Sequence, residues 1–356
     1  MFLKNRIIKM LSFITATFLI ILIIIFPDIS NKGVSRGLVI SANVIIPSMF
    51  PFMVCVLIIL KSQVIVKNAF VKKILHNVFG HDFNMFFVFL LSMLGGYPVG
   101  ARLINEIYEK KIINNKTADI MLMYCVNAGP AFITAAIGKG VFNSYKIGAA
   151  LLLSHIGSSF IIAIICGRYL RKYNTYIASN NFNLPISFSE TFVTSVSDAA
   201  SSILKICSFI ILFSAINAYV EYFFADIGII KNIIFFTEVT TAVTKTNNII
   251  FVAFLLGFSG VSIWCQIFAM SGKRKINLIL FIIGRILHGG ISSIIIYFLI
   301  RHFNIKIPTY SNNVEFLSSV IYSDIEVSIS LVIMLLVLLT FIYSKNSSRK
   351  IINDML

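Results

Sequence analysis

A chain of 356 residues that is 58% hydrophobic, only 12% charged and carries 33 phenylalanines exposes too little charge for a soluble domain of its size. Apolar runs of about 20 residues, each able to cross ~30 Å of hydrocarbon, recur from end to end, so the expected class is an all-α polytopic membrane protein set in a lipid bilayer. The net charge of +16 lies in short clusters between the apolar runs, as the positive-inside rule requires, and leaves no soluble basic domain to bind nucleic acid.

In chain order, Lys4, Arg6 and Lys9 precede an apolar stretch from Leu11 to Phe26. Pro27-Asp28-Ile29 is no small-residue cleavage site, so the stretch is expected to stay as a first span. About eight spans are predicted, at 8–26, 37–60, 118–137, 147–167, 200–224, 249–271, 277–301 and 326–344. Two apolar segments do not fit as spans. Phe83 to Leu94 covers only ~18 Å before a run of helix breakers, Gly95-Gly96-Tyr97-Pro98-Val99-Gly100. Ile233 to Thr246 is short and carries Glu238, Lys245 and five threonines.

Charge placement decides what these two segments do. If both dip in and return, with both termini cytoplasmic, 20 Lys and Arg fall inside and 8 outside. If 83–104 crosses fully, the balance becomes 13 against 15, so re-entrant hairpins are predicted. Residues 37–167 then read as span, hairpin from inside, span, span, and 200–301 repeat that order from the opposite side. This is the inverted-repeat plan of many secondary transporters. It divides the chain into an N-terminal helix and outer loop (1–36), repeat 1 (37–167), a cytoplasmic linker (168–199), repeat 2 (200–301) and an outer loop, last span and tail (302–356). It also sets Asn127-Ala128-Gly129-Pro130 opposite Phe258-Ser259-Gly260-Val261, each a helix-breaking site midway along a span. From Ser189 to Ser202 an interfacial helix is expected to lead into the next span.

These motifs together are similar to those of the YlbJ-like sporulation integral membrane proteins, also called stage V sporulation protein V. That family belongs to the wider group with nucleoside-recognition Gate domains, related to concentrative nucleoside transporters. The resemblance covers roughly 37–301. It is carried by Gly96-Tyr97-Pro98-Val99-Gly100-Ala101, by Cys125 with Asn127 and Gly129-Pro130, and by Glu238-Val239-Thr240. Gly257-Phe258-Ser259-Gly260-Val261-Ser262 with Gln266, and Gly284-Arg285-Ile286-Leu287-His288-Gly289, complete it. It implies two Gate-type repeats and a role in sporulation: passage of dipicolinic acid, a small anionic solute, out of the mother-cell cytoplasm across the outer forespore membrane. A nucleoside or other small metabolite is the alternative cargo, and a non-transporting scaffold for spore envelope assembly the alternative class.

The residues themselves state what the site would need. Non-helical backbone at membrane depth must be buried in protein or line a wet cavity, so Gly96, Tyr97, Pro98, Gly100 and Gly129 are expected at such a cavity, with half-helix N-termini suited to an anion. Glu238 in hydrocarbon would cost several kcal/mol and is expected to face a cavity, a partner or a coupling Na⁺ or H⁺. Arg285 and His288 lie one helical turn apart. Arg285 either pairs a substrate carboxylate or neutralises Glu238, and His288 either relays protons or packs as a hydrogen-bonding residue. Asn127, Ser259, Ser262 and Gln266 offer neutral hydrogen bonds near the breaks, to a solute or between helices. Trp264 falls mid-span, as packing or cavity wall. Arg102 is a candidate cytoplasmic charge. The five cysteines are scattered singly without metal-ligand spacing and are expected as small buried hydrophobes. No nucleotide loop, metal cluster or nucleophile–base pair marks an enzyme, and no cofactor beyond a coupling ion is expected. Self-association into a homo-oligomer is left open.

Overall fold

The computed structural model describes residues 2–61, 83–130, 132–172, 188–224, 234–244 and 246–305. Among them there are helices and connecting turns and no strand. The expected span 326–344, the basic segment 62–82 and residues 173–187 of the linker lie outside the described residues.

Helix α1 (Phe2–Ile25) carries Lys4, Arg6 and Lys9 in its first turns and is almost wholly apolar beyond them, where its side chains are mostly exposed, with Phe13 at 73% and Ile24 at 72%. An apolar stretch exposed in this way suits lipid. Phe26 leaves helical geometry, Pro27 opens α2 (Pro27–Ile40) from a position where its missing N–H costs nothing, and the chain turns by 104°. Residues 27–36, expected as an outer loop, are therefore the first turns of a helix, which runs on through a π-helical segment (Ser41–Ile45) into α3 (Ile46–Lys61). The reason is packing. Gly33 and Gly37, four residues apart, let α2 lie backbone to backbone on α8 (Phe188–Phe224): a Cβ on either would stand 2.6 Å from the Cα of Ala215 or Ile211.

Helices α4 (Phe83–Gly95) and α5 (Tyr97–Glu109) pack against each other as a hairpin. Gly96 between them has φ 85° and ψ 175°, a conformation essentially reserved for glycine, and Pro98 sits harmlessly in the first turn of α5. Helix α6 (Asn115–Leu122) is capped by the Asn114 side chain, which accepts from the Thr117 N–H at 2.8 Å. It stops in the middle of the expected span 118–137. Residues 123–129 are irregular, and a π-helical segment (Phe132–Val141) follows. Next come α7 (Tyr145–Lys172) and α8, a single helix that fuses the expected interfacial segment with the following span. Residues 234–237 are helical, the helix is interrupted at Glu238, and α9 (Val239–Thr244) resumes it. Helix α10 (Ile249–Phe258) ends where Ser259 and Gly260 both take positive φ, 71° and 79°, and α11 (Gly260–Met270) continues. Helix α12 (Leu278–His302) closes the described part, capped by Asn277.

Among the described residues four stretches are helical, long and apolar enough to cross a membrane, namely Tyr145–Leu170, Ser189–Phe224, Ile249–Met270 and Leu278–His302, or five if the bent α1–α2 pair counts as one. The packing has a pattern. Helix α3 lies on α8 and α7 on α12, while α5 lies on α11 and α9 on the π segment 132–141. The second arm of the α4–α5 hairpin thus rests on the second half of the helix broken at Ser259, and α9 on the helical segment that follows the irregular stretch 123–129. Cysteines 125, 166 and 207 are buried as expected, Cys265 is half-buried, and Cys55 is exposed.

Re-entry of the α4–α5 hairpin is testable by labelling. In a cysteine-free background, single cysteines at Lys72 and Lys111 are expected to react with an impermeant reagent from the same, cytoplasmic side; labelling from opposite sides refutes the hairpin.

Candidate functional site

Four interruptions of the backbone meet in the interior. The hairpin tip at Gly96 touches the first break, where a Cβ on Gly96 would stand 3.6 Å from the Gly129 nitrogen. The second tip touches the second break in the same manner, since a Cβ on Gly260 would stand 3.3 Å from the Phe236 carbonyl oxygen and 3.4 Å from the Val239 nitrogen. Between them lies a small, partly open cavity of about 30 Å³, lined by Tyr97, Pro98, Gly129, Glu238, Val239 and Gln266, with Met49 and Phe132 in its apolar wall. Its volume suits one or two waters, so a metabolite enters only if the two hairpins part.

Glu238 is 1% exposed, which excludes a solvated loop carboxylate. Its Oε1 accepts from the Thr240 N–H at 3.0 Å and its Oε2 from the Thr240 hydroxyl at 2.5 Å. The carboxylate therefore satisfies the start of α9 while facing the cavity.

The broken ends of the long helices leave carbonyls without an amide partner, and in a membrane each must be satisfied within the protein. At the end of α10 the last regular bond runs from the Ser259 N–H to Leu255 O at 2.8 Å; beyond it Leu256 O takes the Tyr97 hydroxyl at 2.7 Å, and Phe258 O the Trp264 indole N–H at 2.9 Å. At the end of α6, Tyr124 O takes the Asn127 amide at 2.8 Å and the Ser159 hydroxyl at 2.6 Å. Arg285, wholly buried in α12, serves both ends. Its guanidinium donates to Leu122 O at 3.2 Å, Val126 O at 2.6 Å, Gly257 O at 3.4 Å and Met123 O.

The expected site residues thus divide. Tyr97, Pro98, Gly129, Glu238 and Gln266 line the cavity. Gly96 and Gly100 set the path of the hairpin, and Ser259 forms the second break, its hydroxyl turned back to the adjacent Phe258 carbonyl at 2.6 Å. Asn127 spans Tyr124 O and, at 3.2 Å, the Ser92 hydroxyl, while Ser262 accepts from Gln266 at 3.5 Å. Arg285 makes no ion pair with Glu238, and its charge is spent on carbonyls. His288 stacks on His155, ring centres 4.4 Å apart. His155 accepts from the Ala128 N–H at 2.9 Å, and His288 donates to His155 O at 3.1 Å, leaving its Nδ1 toward Arg285 at 3.4 Å; these partners assign both rings as neutral imidazoles.

Sequence reasoning passed over His155, although an ionisable residue in the apolar run 147–167 was the available signal. It also passed over the pairing of the basic clusters. Arg102 bonds Asp198 at 3.0 Å together with Lys61 at 2.8 Å, and Arg274 bonds Asp119 at 2.5 Å.

No known family profile matches the chain, and no solved structure does. The sporulation integral membrane protein YlbJ of Bacillus subtilis (strain 168) is 21% identical over 333 aligned residues, which cover 81% of this chain and 80% of that protein. The chain is a helical membrane protein distantly related, over most of its length, to a protein of sporulation.

Proposed function

We propose that the chain is a secondary carrier built from two inverted Gate-type repeats, acting in the cell membrane or outer forespore membrane of a sporulating cell. The observation that carries this is the cavity lined by the turn at Tyr97 and Pro98, the first break at Gly129, the interruption at Glu238 and the α11 residue Gln266, with a buried carboxylate on its wall. The reciprocal packing of α5 on α11 and of α9 on the π segment supports the repeat, since each hairpin arm finds the equivalent surface of the other half. A scaffold would have little use for a buried carboxylate on a cavity wall.

The cargo we propose is a small anionic metabolite, dipicolinic acid in particular, moving out of the mother-cell cytoplasm. The first turn of α5 at Tyr97 and Pro98 faces the cavity and brings a partial positive charge to it. Glu238 opposes a dianion, so the anion would travel with a proton or Na⁺ held at that carboxylate. A nucleoside is the second candidate, favoured by a specific feature: Glu238 and Gln266 offer hydrogen bonds to a neutral solute, and no cationic side chain is among the described lining residues.

Uptake of labelled dipicolinate and of uridine by proteoliposomes, with and without Na⁺ and proton gradients, tests both. Gradient-driven uptake of dipicolinate is expected, and in Glu238→Gln the rate falls to that seen without a gradient. Uptake of uridine alone replaces the anion with the nucleoside; uptake of neither under any gradient removes the carrier.

A further inference from the structure

The least expected feature of the interior is a cation with no anion. Arg285 is 0% exposed, stands midway along the apolar helix α12, and forms no ion pair among the described residues. Its partners share one property. Leu122, Met123 and Val126 lie at and just beyond the C-terminal end of α6, and Gly257 lies in the last turn of α10. A helix C-terminus carries about half a unit of negative charge, so two of them converging on one point supply about one. The guanidinium matches that total. Its planar fork also reaches four carbonyls at once, more than the three donors of a lysine ammonium can pair one to one.

Broken-helix carriers use such carbonyl-lined ends to hold an exchangeable metal cation. We propose that Arg285 is a resident cation: its guanidinium permanently fills the cation site formed by the C-terminal ends of the two broken helices, one from each half of the chain. The neighbours fit this role. His288 turns an imidazole lone pair to the guanidinium at 3.4 Å, and His155, stacked on His288, holds the Ala128 N–H in place, so the titratable groups facing Arg285 add no second positive charge. Glycines bring the three elements together. A Cβ on Gly284 would stand 2.8 Å from the Cα of Met123, and one on Gly257 would stand 2.5 Å from the Cα of Gly289. For transport, the consequence is that any coupling ion must use Glu238, because this second site is already occupied. The charge assignment itself does not depend on the carrier proposal.

The test is thermal unfolding of the purified full chain in detergent, with uptake not required. Arg285→Ala is expected to melt about 10 °C below the natural protein, because removing the guanidinium leaves carbonyls of two helix ends unpaired. Low-millimolar guanidinium chloride is expected to restore much of that loss saturably, with choline chloride at equal ionic strength inert and the natural protein not stabilised by either. Should Arg285→Ala fail to accumulate, Arg285→Lys and Arg285→Met separate charge from bulk: Lys is expected to accumulate and melt above Met. An Ala variant as stable as the natural protein, a guanidinium effect equal in both proteins, or Lys and Met failing alike would overturn the resident cation. Loss of uptake in Glu238→Gln with an unchanged melting point would bear on the carrier proposal alone.

Discussion

Replacing Gly100 by alanine is expected to lower the melting point by about 10 °C or more and to abolish uptake. A Cβ at this position would fall inside the van der Waals envelope of the Cys125 carbonyl oxygen and 3.0 Å from the Ser92 Cβ. The first obstacle is backbone, so no rotamer change relieves it, and the α5 arm must lift from the first break. Overpacking of this sort costs about 3 kcal/mol or more. Lifting α5 also moves Tyr97 and Pro98, two walls of the cavity, and draws the Tyr97 hydroxyl from its 2.7 Å bond to Leu256 O. Gly290 supplies the control. Nothing lies within 4 Å of a Cβ placed there, so Gly290→Ala in the helix interior is expected to leave the melting point unchanged or raise it slightly. Equal melting points for Gly100→Ala and the natural protein would show that the hairpin does not rest on Cys125.

The breaks themselves were legible in the sequence because glycine and proline mark backbone conformations that other residues avoid. Gly96 at φ 85° and Gly260 at φ 79° are cases where the residue type and the angle require each other. What fills the breaks was not legible. The carbonyl of Leu256 is satisfied by Tyr97 and that of Val126 by Arg285, each pair 159 residues apart, and no local pattern encodes a partner at that distance. Arg285 was weighed against a substrate carboxylate and against Glu238, both conventional partners for a cation. Backbone carbonyls at two helix ends were not considered, since they become a partner only once the helices are known to stop there. The helix at 27–36 was hidden for a related reason: Asp28, Asn31, Lys32 and Arg36 resemble a loop, whereas the buried face is made by Gly33 and Gly37, which carry no hydrophobic signal.

Charge counting had the same blind side, and Arg274 shows it most clearly. The cluster Lys273-Arg274-Lys275 was counted as a cytoplasmic marker, as though all three were solvated. The Arg274 side chain is instead 1% exposed and that of Asp119 8%, the two meeting at 2.5 Å. Asn115 accepts from Arg274 at 3.3 Å, and the guanidinium lies 5.9 Å from the centre of the Tyr108 ring. This pair ties α6, the first half of one broken helix, to the turn between α11 and α12. Removing either partner leaves a buried charge uncompensated, a loss of about 3–5 kcal/mol, whereas removing both leaves two neutral side chains of similar volume. Asp119→Asn and Arg274→Gln are therefore each expected to lower the melting point by about 10 °C, and the double variant by less than either single change. The comparison needs only melting points in detergent, and it has a definite opposite: if the two losses add, the charges are solvated separately and the pair does not hold α6 to the turn.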